Sequence, residues 1–529
     1  MIVPHEIPLT ATNYLNKLVS DYLKEDAFFN ELISNKPTLD GFQKQLKLKA
    51  DFPAAHRKVL VEVLSEQYQN QEISDATHTN IQLLNKENTF TVTTGHQLNL
   101  ASGPLYVIYK ILSAINLTEE LKMAFKDYYF VPVFWMATED HDFEEINHFH
   151  IGDESFRWES NQTGAVGEFR LDGIQTILDE LHKKFKTNAE VTAFVELLKK
   201  AYALPNLSKA NRFLINELLG TYGLVILDAN HPKLKSLFKK QIHSEFKNQS
   251  AFKNVTQTNA YLKKDYNGLV NPREYNLFYK KDGIRERIIF KNQHFEVLNS
   301  SIRFKVDELL NELEQYPVHF SPNVLMRPLY QEVILPNLAY IGGGGEIAYW
   351  LQLKRYFDAE HVVFPILMVR NSLLVLDEKQ SEKVARLGMN AYDLVLPQDN
   401  VIKNLIKKQS LSKFDFSEQK QFLEQQFKKL AELVAQTDYS FKGAVDAQRA
   451  KQLKGLEKLE KRWLKAELKR NQDYVKRLQD FLESINKNKV PQERYQNFMS
   501  LLLSGFSIAQ LKEAIKPLKP VLTVLTVKN

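Results

Sequence analysis

The sequence predicts an α/β protein built on a doubly wound parallel sheet, with helical insertions and a helical arm near the C-terminus. Five short, nearly continuous apolar runs alternate with segments of helical periodicity, a pattern typical of parallel strands buried on both faces. The 529 residues include only 19 glycines and 18 prolines, and so few chain breakers favour long helices. From about residue 376 the apolar residues follow a heptad pattern instead.

The composition excludes several classes of protein. With 44% hydrophobic and 25% charged residues, the chain is neither disordered nor fibrous. A formal net charge of +6 is too small an excess to indicate nucleic-acid binding, and it is compatible with anionic small-molecule substrates. The absence of cysteine excludes disulfides, thiolate nucleophiles and cysteine-containing zinc sites. We expect a cytoplasmic protein with no membrane partner, because no signal peptide and no membrane-length apolar run is evident.

The order of the predicted elements defines the core. Residues 1–87 predict helices, and a strand–helix–strand unit follows. We expect residues 1–375 to form the core, with insertions at about 151–220 and 230–330 that cover the functional edge of the sheet. The five predicted strands are TFTVTTG (89–95), YYFVPVFWMA (128–137), GLVILDA (223–229), LAYIGGGG (338–345) and HVVFPILMVR (361–370).

The segment from about 376 to 490 predicts an α-helical coiled-coil arm. No proline occurs in 416–489, and apolar residues recur at alternating spacings of four and three in 423–434 and again in 464–485. This is the heptad pattern of helices that pack along a shared seam. Two ordinary amphipathic helices packed flat on the core are the alternative.

Details of the arm lead to further expectations. TDYSFKG at 437–443 predicts a turn that folds the arm back as an antiparallel hairpin. Asn471 falls at a seam position, where a polar residue can set the register. A hairpin this long leaves Phe441 and other apolar residues exposed, which predicts a homodimer formed through the arm. We expect 491–529 to return to the core and to end in a strand at 521–527.

The first candidate site lies between the first strand and the following helix. It contains Gly95, His96, Asn99, Ser102 and Gly103. Backbone amides at a helix start attract anions, and the imidazole of His96 could bind a phosphate or carboxylate or transfer a proton. The layout is similar to the histidine-containing loop of class I nucleotidyltransferases and aminoacyl-tRNA synthetases, although no second histidine follows. The alternative is a structural loop histidine.

The second candidate site follows the second strand. Its central residues are Asp140, His141 and Asp142, within an acidic and histidine-rich stretch that extends to His150. A carboxylate–imidazole pair of this kind can bind an amine or transfer a proton. The spacing matches no specific metal-binding motif, so no metal ligand is assigned and the use of a metal stays open. A solvated charged loop is the remaining alternative.

The third candidate site is a glycine run between the fourth strand and a helix. Four glycines would let a ligand approach the backbone and would point several amides in one direction. The run is neither a Walker A loop nor a G-x-G-x-x-G motif, and a tight structural turn is the alternative. The candidate residues here and just after the fifth strand are Tyr340, Gly342, Gly343, Gly344, Gly345, Glu346, Arg370 and Asn371.

Taken together, these segments resemble a known family. TTGHQLNLASGPLYVIYK, FWMATEDHDFEEINH and LPNLAYIGGGGEIAYW are similar to stretches of the bacillithiol biosynthesis cysteine-adding enzymes, and the resemblance runs the whole length of the chain. It implies a Rossmann-like core related to class I nucleotidyltransferases, with a coiled-coil arm. The family pattern has Gln where this chain has His96, and Gly or Thr near Ser102, which weakens the case for His96 as a proton carrier.

The resemblance also implies a reaction. Family members join L-cysteine to glucosaminyl-malate through an amide bond, and a free carboxylate needs activation first, for which ATP is the natural candidate. In this interpretation the amides of 342–345 and the helix start at 102–104 bind anionic groups. Asp140 or Asp142 binds an ammonium, and His141 takes the amine proton. Two alternatives stay open: a non-catalytic nucleotide- or sugar-binding module that recruits a partner through its arm, and a metal-dependent hydrolase.

Overall fold

A computed structural model describes residues 2–25, 27–281, 283–409, 416–434 and 439–527. The chain forms two compact units, one comprising 1–377 with 492–529 and the other 378–491. The strands are β1 (Ile2–Pro8), β2 (Thr89–His96), β3 (Tyr129–Met136), β4 (His148–Ile151), β5 (Glu154–Arg157), β6 (Val225–Asp228), β7 (Leu277–Lys281), β8 (Ile284–Lys291), β9 (His294–Val297), β10 (Arg303–Phe304), β11 (Phe320–Pro322), β12 (Asn337–Gly342), β13 (Ile366–Val369), β14 (Ser372–Leu376) and β15 (Val521–Val527).

Helices account for much of the rest of both units. They are α1 (Lys17–Leu23), α2 (Leu39–Leu48), α3 (Ala54–Tyr68), α4 (Asp75–Leu83), α5 (Leu105–Ala124), α6 (Gln175–Phe185), α7 (Ala189–Tyr202), α8 (Leu207–Leu219), α9 (Pro232–Ser236), α10 (Lys239–Asn248), α11 (Ser250–Leu262), α12 (Val306–Gln315), α13 (Arg327–Ile334), α14 (Gly344–Trp350), α15 (Lys354–Ala359), α16 (Glu378–Arg386), α17 (Gln398–Gln409), α18 (Ser417–Val434), α19 (Tyr439–Arg470), α20 (Gln472–Ile485), α21 (Gln492–Tyr495), α22 (Phe498–Leu503) and α23 (Ile508–Ala514). No described helix is both long and apolar enough to cross a membrane.

The core sheet consists of the five predicted strands, all parallel, in the order β13-β12-β2-β3-β6. The strand order reverses between β2 and β12, as in a doubly wound fold. Both faces of the sheet are covered, because the residues of β3 after Tyr129 and all of β12 are buried. The predicted fold class is therefore confirmed. The crevice outside the carboxyl ends of β2 and β12 is where such folds bind ligands.

The two insertions have different positions. The second contains the antiparallel sheet β10-β9-β8-β7-β11, whose β7 and β8 lie over the carboxyl edge of the core sheet. The first contains the β4–β5 hairpin and α6 to α8. Its backbone hydrogen-bonds to the loop that follows β3. There the Val166 amide donates to the Asp140 carbonyl at 2.7 Å, and the Gly167 amide donates to the Thr138 carbonyl at 3.0 Å. Only the second insertion covers the functional edge directly.

A small sheet joins the two ends of the first unit. β15 pairs antiparallel with β1 and parallel with β14, so the predicted final strand is present. The prediction that 1–87 is entirely helical is wrong at β1. A strand whose hydrogen-bonding partner lies some five hundred residues away leaves little local signal.

The second unit is helical. α18 and α19 run antiparallel, with ion pairs from Lys420 to Glu460 at 2.8 Å and from Arg449 to Glu424 at 3.4 Å. The predicted turn at 437–443 is misplaced, since 439–443 already belong to α19; residues 437 and 438 lie outside the described residues.

Asn471 does not occupy a helical seam position. It is the residue between α19 and α20, with φ −102° and ψ 27°. Its side-chain amide donates to the Glu467 carbonyl at 2.9 Å. An asparagine that hydrogen-bonds to the preceding turn in this way competes with helix continuation, so it interrupts the helix instead of setting a register.

Candidate active site

A cavity of about 770 Å³ opens at the carboxyl ends of β2, β3 and β12. Gly95 and His96 line it from the first predicted segment, Asp140 and His141 from the second, and Gly343, Gly345 and Glu346 from the third. The three segments therefore converge in one cavity, because parallel strands place their carboxyl ends at the same edge of the sheet. The second insertion and the segment after 491 complete the wall with Phe278, Arg285, Asn323, Arg327 and Arg494.

His96 is held as a neutral imidazole. The backbone amide of Gln97 donates to Nδ1 at 2.7 Å, so Nδ1 is the acceptor nitrogen and Nε2 carries the proton. Nε2 lies 2.8 Å from the hydroxyl of Tyr106. Burial, together with the positive charges of Lys110 and Arg370, lowers the pKa of His96 to about 3. Because both ring nitrogens are engaged, His96 is not placed to accept a proton from a substrate.

A buried lysine neutralises Glu346 at the glycine-rich segment. Lys110 Nζ lies 2.8 and 2.7 Å from the two carboxylate oxygens of Glu346 and also donates to the Gly95 carbonyl. Burial alone would raise the pKa of Glu346, but the charge and hydrogen bonds of Lys110 lower it to about 2. Tyr340 and the Gly343 amide donate to the same carboxylate, at 2.7 and 2.9 Å.

A second buried lysine neutralises Glu139 on the other side of the cavity. Lys235, whose side chain is fully buried, donates to the two Glu139 oxygens at 2.7 and 2.9 Å and to the Phe320 carbonyl at 3.0 Å. The two lysines therefore compensate Glu139 and Glu346. Among the described residues of the wall, the acidic groups without a buried lysine beside them are Asp140 and Glu145.

Asp140 and Glu145 both accept hydrogen bonds from the side-chain amide of Gln97. Gln97 Nε2 donates to Asp140 at 2.8 Å and to Glu145 at 2.7 Å. Burial would raise the pKa of Asp140, but hydrogen bonds from the His141 backbone amide and the Gln97 side chain, together with the charge of Arg285, lower it well below its usual range. Asp140 is therefore ionised at neutral pH, which suits it to binding a cation such as an ammonium group.

His141 faces an arginine. Arg285 Nη1 lies 2.6 Å from His141 Nδ1, and since a guanidinium can only donate, Nδ1 is again the acceptor nitrogen. Arg285 also donates through Nε to Ser321 at 3.1 Å. The predicted role of His141 as the acceptor of the amine proton does not fit this geometry, because its lone pair is already occupied.

Three arginines of the wall have no carboxylate partner among the residues that the structure describes. Arg285 contacts His141 and Ser321, Arg327 donates to the Tyr349 hydroxyl at 2.7 Å, and Arg494 is exposed. Arg370, in contrast, is paired with Glu493 at 2.6 and 2.9 Å. The cavity thus offers uncompensated positive charge, which fits an anionic ligand.

The first segment contains candidate residues that do not reach the cavity. Asn99, Ser102 and Gly103 are buried behind its wall, and Asn497 donates to the Gly103 carbonyl at 3.0 Å. The predicted anion site at the helix start is wrong, because the amide of Leu105, the first residue of α5, donates to the Gln496 carbonyl at 2.9 Å. The segment after 491 thus satisfies one backbone donor of the helix start and, through Asn497, the carbonyls of Ala101 and Gly103.

Other candidates are structural or outside the cavity. Tyr340 is fully buried, Gly342 accepts the Arg370 amide, and Asn371 donates to the Lys519 carbonyl at 2.8 Å. A Cβ at Gly344 would lie 3.0 Å from Leu15 Cδ2, so this glycine faces a packed side chain instead of a ligand. Asp142 is exposed and does not line the cavity.

The loop at 138–150 does not gather its ligating groups around one point. Glu144 pairs with Arg157 at 2.8 Å, Glu145 with Gln97, and His141 with Arg285. Within the described ranges no group of three or more histidine, aspartate or glutamate residues is placed to hold a metal ion. The side chains of His141, Glu144 and Glu145 instead contact different protein groups.

Several side chains of the cavity were not among the residues predicted from the sequence. Gln97 and Tyr106 lie within the first segment but carry no ionisable side chain that attracts attention at neutral pH. Arg285 and Arg327 lie in the second insertion, roughly 190 to 230 residues after β2. The one usable signal was that this insertion had to cover the sheet edge, which made its arginines candidates for the wall.

Comparison with known proteins identifies the family. Residues 2–371 match the family described as "Bacillithiol biosynthesis BshC, N-terminal Rossmann-like domain", and residues 373–527 match the corresponding C-terminal coiled-coil domain. The chain belongs to the bacillithiol biosynthesis BshC family. This confirms the resemblance, the Rossmann-like core and the coiled-coil region.

Curated members of the family align over nearly the full length. Proteins named "Putative cysteine ligase BshC" from Flavobacterium johnsoniae, Flavobacterium psychrophilum and Christiangramia forsetii are 47%, 44% and 43% identical to this chain. The alignments cover 97–98% of this chain and 97–99% of each relative. The prediction of an enzyme of the ligase class agrees with the family's naming.

Proposed function

We propose that the protein ligates L-cysteine to glucosaminyl-malate, forming an amide between the cysteine carboxyl group and the sugar amine. The observation that carries this proposal is the charge arrangement of the cavity. Among the described residues, Asp140 and Glu145 have no lysine or arginine ion-pair partner, and they lie in the same cavity as three arginines that have no carboxylate partner. The substrates carry matching groups, since cysteine has an ammonium and glucosaminyl-malate carries both an amine and carboxylates.

The carboxylates have distinct proposed roles. Asp140, ionised and held by Gln97 and the His141 amide, binds an ammonium. Glu145 is more exposed and shares only the Gln97 amide, so it is the better acceptor for the proton released when the amine attacks. This assignment replaces His141, whose lone pair faces Arg285.

The cysteine carboxylate requires activation, and ATP is the proposed source. ATP would supply a good leaving group on the acyl carbon. The conventional phosphate-binding lysine motif is missing from the sequence, but Arg327 and Arg494 fit an anionic group because neither is ion-paired with a carboxylate in the described parts of the chain. These two side chains are therefore the proposed phosphate contacts.

We further propose a cytoplasmic homodimer formed through the arm. Phe422, Leu433 and Phe441 of α18 and α19 are 63%, 64% and 57% exposed. Large apolar side chains exposed on a helical hairpin are typical of a pairing surface. Light scattering should report a dimer for the full chain, whereas a monomeric mass at micromolar concentration would contradict the assembly. A cytoplasmic location fits a cysteine-free chain whose proposed product is a thiol.

Turnover by the purified full-length chain tests the ligase proposal. The protein is incubated with L-cysteine, glucosaminyl-malate and ATP, and the amide product is measured by mass spectrometry. Omission of ATP should abolish the product, and replacement of L-cysteine by L-serine should reduce it. A chain that binds both substrates without forming product would instead support a non-catalytic binding module.

A further inference from the structure

The hydroxyl of Tyr106 is an oriented donor inside the cavity. The Gln97 amide donates to His96 Nδ1 at 2.7 Å, which leaves the only imidazole proton on Nε2. Nε2 faces Tyr106 at 2.8 Å. In this arrangement the imidazole donates, and the Tyr106 oxygen accepts. The chain of hydrogen bonds therefore runs in one direction, from the backbone amide to the phenol.

The proton of this phenol has no acceptor elsewhere in the described protein. The contact with His96 is the single hydrogen bond that the described residues offer to the Tyr106 hydroxyl. Tyr106 lines the cavity and is half-buried. Since its oxygen already accepts from His96, its own O–H is free to donate to a ligand oxygen in the cavity.

Charged groups of both signs lie near Tyr106. The Arg370 guanidinium lies 5.3 Å from the centroid of the Tyr106 ring. Tyr106 is on the first turn of α5, beside Gly343 and Glu346 at the wall, where the strand order reverses. Burial and the charge of Glu346 raise the pKa of Tyr106 to about 12, so the hydroxyl keeps its proton at neutral pH.

We propose that Tyr106 donates this hydrogen bond to the acyl oxygen of the activated cysteine and that His96 is the residue that positions it. The proposal rests on the ligase function proposed above. When the sugar amine attacks, a C–N bond forms and the π electron pair of the carbonyl moves onto the acyl oxygen. The pair then returns, the bond to the leaving group breaks with its electrons, and the amine proton passes to Glu145.

A donor aimed at the oxygen where charge develops stabilises the transition state more than the ground state. Removal of one such donor typically costs about 10²–10³ in kcat. Tyr106→Phe removes the hydroxyl and keeps the ring. We expect kcat to fall by about 10²-fold or more, with KM for both substrates and the melting temperature close to those of the parent protein.

Tyr109→Phe is the matched control. Tyr109 lies on the same helix, is fully buried, and its hydroxyl has no hydrogen-bond partner in the described structure. It does not line the cavity. This variant should keep parental kcat. If Tyr106→Phe retains kcat within about twofold of the parent, or if Tyr109→Phe is equally impaired, the proposal is overturned.

His96 variants test the positioning role. His96→Gln keeps a side-chain amide that can donate to Tyr106, whereas His96→Leu cannot donate at all. We expect the kcat of His96→Leu to approach that of Tyr106→Phe, and the kcat of the double variant His96→Leu/Tyr106→Phe to be no lower than that of either single variant. His96→Gln should retain most of the parental activity. Additive losses in the double variant would show that the two residues act separately and would overturn the positioning claim.

A readout other than turnover completes the test. Calorimetric titration with L-cysteine alone measures ground-state binding in the parent and in Tyr106→Phe, and the dissociation constants should agree within about threefold. A large loss of binding would mean that Tyr106 holds the substrate instead of the transition state. If the parent protein makes no amide, the ligase function fails; if it does and Tyr106→Phe matches it, only this inference fails.

Discussion

The buried Lys110 and the partly exposed Glu346 form an ion pair, with Nζ at 2.8 and 2.7 Å from the two carboxylate oxygens. Lys110 belongs to α5, which follows β2, and Glu346 belongs to α14, which follows β12. The pair therefore joins the two elements that leave the sheet on either side of the position where its strand order reverses. It fixes the glycine-rich segment against the central strand, so the geometry of the cavity depends on it.

Removal of one partner of this pair should destabilise the fold. Lys110→Met leaves the Glu346 carboxylate without its cation. Breaking a buried pair typically costs about 3–5 kcal/mol, and because Glu346 is 27% exposed we expect a loss toward the lower end of that range. The expected loss in the free energy of unfolding is measured by urea denaturation. The double variant Lys110→Met/Glu346→Gln should recover much of the loss, and a double variant as unstable as Lys110→Met alone would contradict the argument.

The same pair predicts a pH dependence of stability. The pKa of Glu346 is lowered to about 2 in the fold, below the ordinary value of 4.5 expected in the unfolded chain. The ionised carboxylate therefore stabilises the protein fully above about pH 4.5, and this contribution decreases as the pH falls toward 2. Glu346→Gln removes this dependence. Denaturation of the two proteins at pH 6 and pH 3 should show a smaller stability difference at the lower pH.

The glycine run contains a matched pair of test positions. Gly345 lines the cavity and a Cβ there would meet nothing within 4 Å, whereas a Cβ at Gly344 would lie 3.0 Å from Leu15 Cδ2. Gly345→Val should weaken substrate binding and leave the melting temperature close to that of the parent protein. Gly344→Val should lower the melting temperature and leave binding by the folded fraction nearly unchanged. The reverse pattern would show that Gly345 is packed against the protein and that Gly344 faces the ligand, which would contradict the assignment.

Asp140 and Asp142 provide a second matched pair. Asp140 lines the cavity and holds Gln97, whereas Asp142, two residues later, is exposed and lies outside the wall. Asp140→Asn removes the charge proposed to bind an ammonium, so we expect a loss of kcat/KM of about 10²-fold, roughly 2.7 kcal/mol. Asp142→Asn should match the parent in the same amide-forming assay. Equal effects of the two changes would remove Asp140 from the proposed ammonium site.

Local patterns were sufficient for the framework of the first unit. Each of the five core strands is a nearly continuous apolar or β-branched run, and such runs depend only on neighbouring residues. Parallel strands place their carboxyl ends together, so the convergence of the segments at Gly95, Asp140 and Gly343 followed from topology. The turn predicted at 437–443 is misplaced because heptad spacing locates helices better than it locates their ends.

The sequence by itself determined the sheet, the coiled-coil character of the second unit, the family and the three segments that meet at the cavity. Only the tertiary structure decided which side chains face that cavity. Ser102 is turned away because Asn497, almost four hundred residues later, binds the backbone on either side of it. Arg285 enters because β8 lies over the sheet edge. Periodicity is a property of neighbouring residues, whereas the partner of a polar side chain depends on contacts that the chain makes only after it has folded.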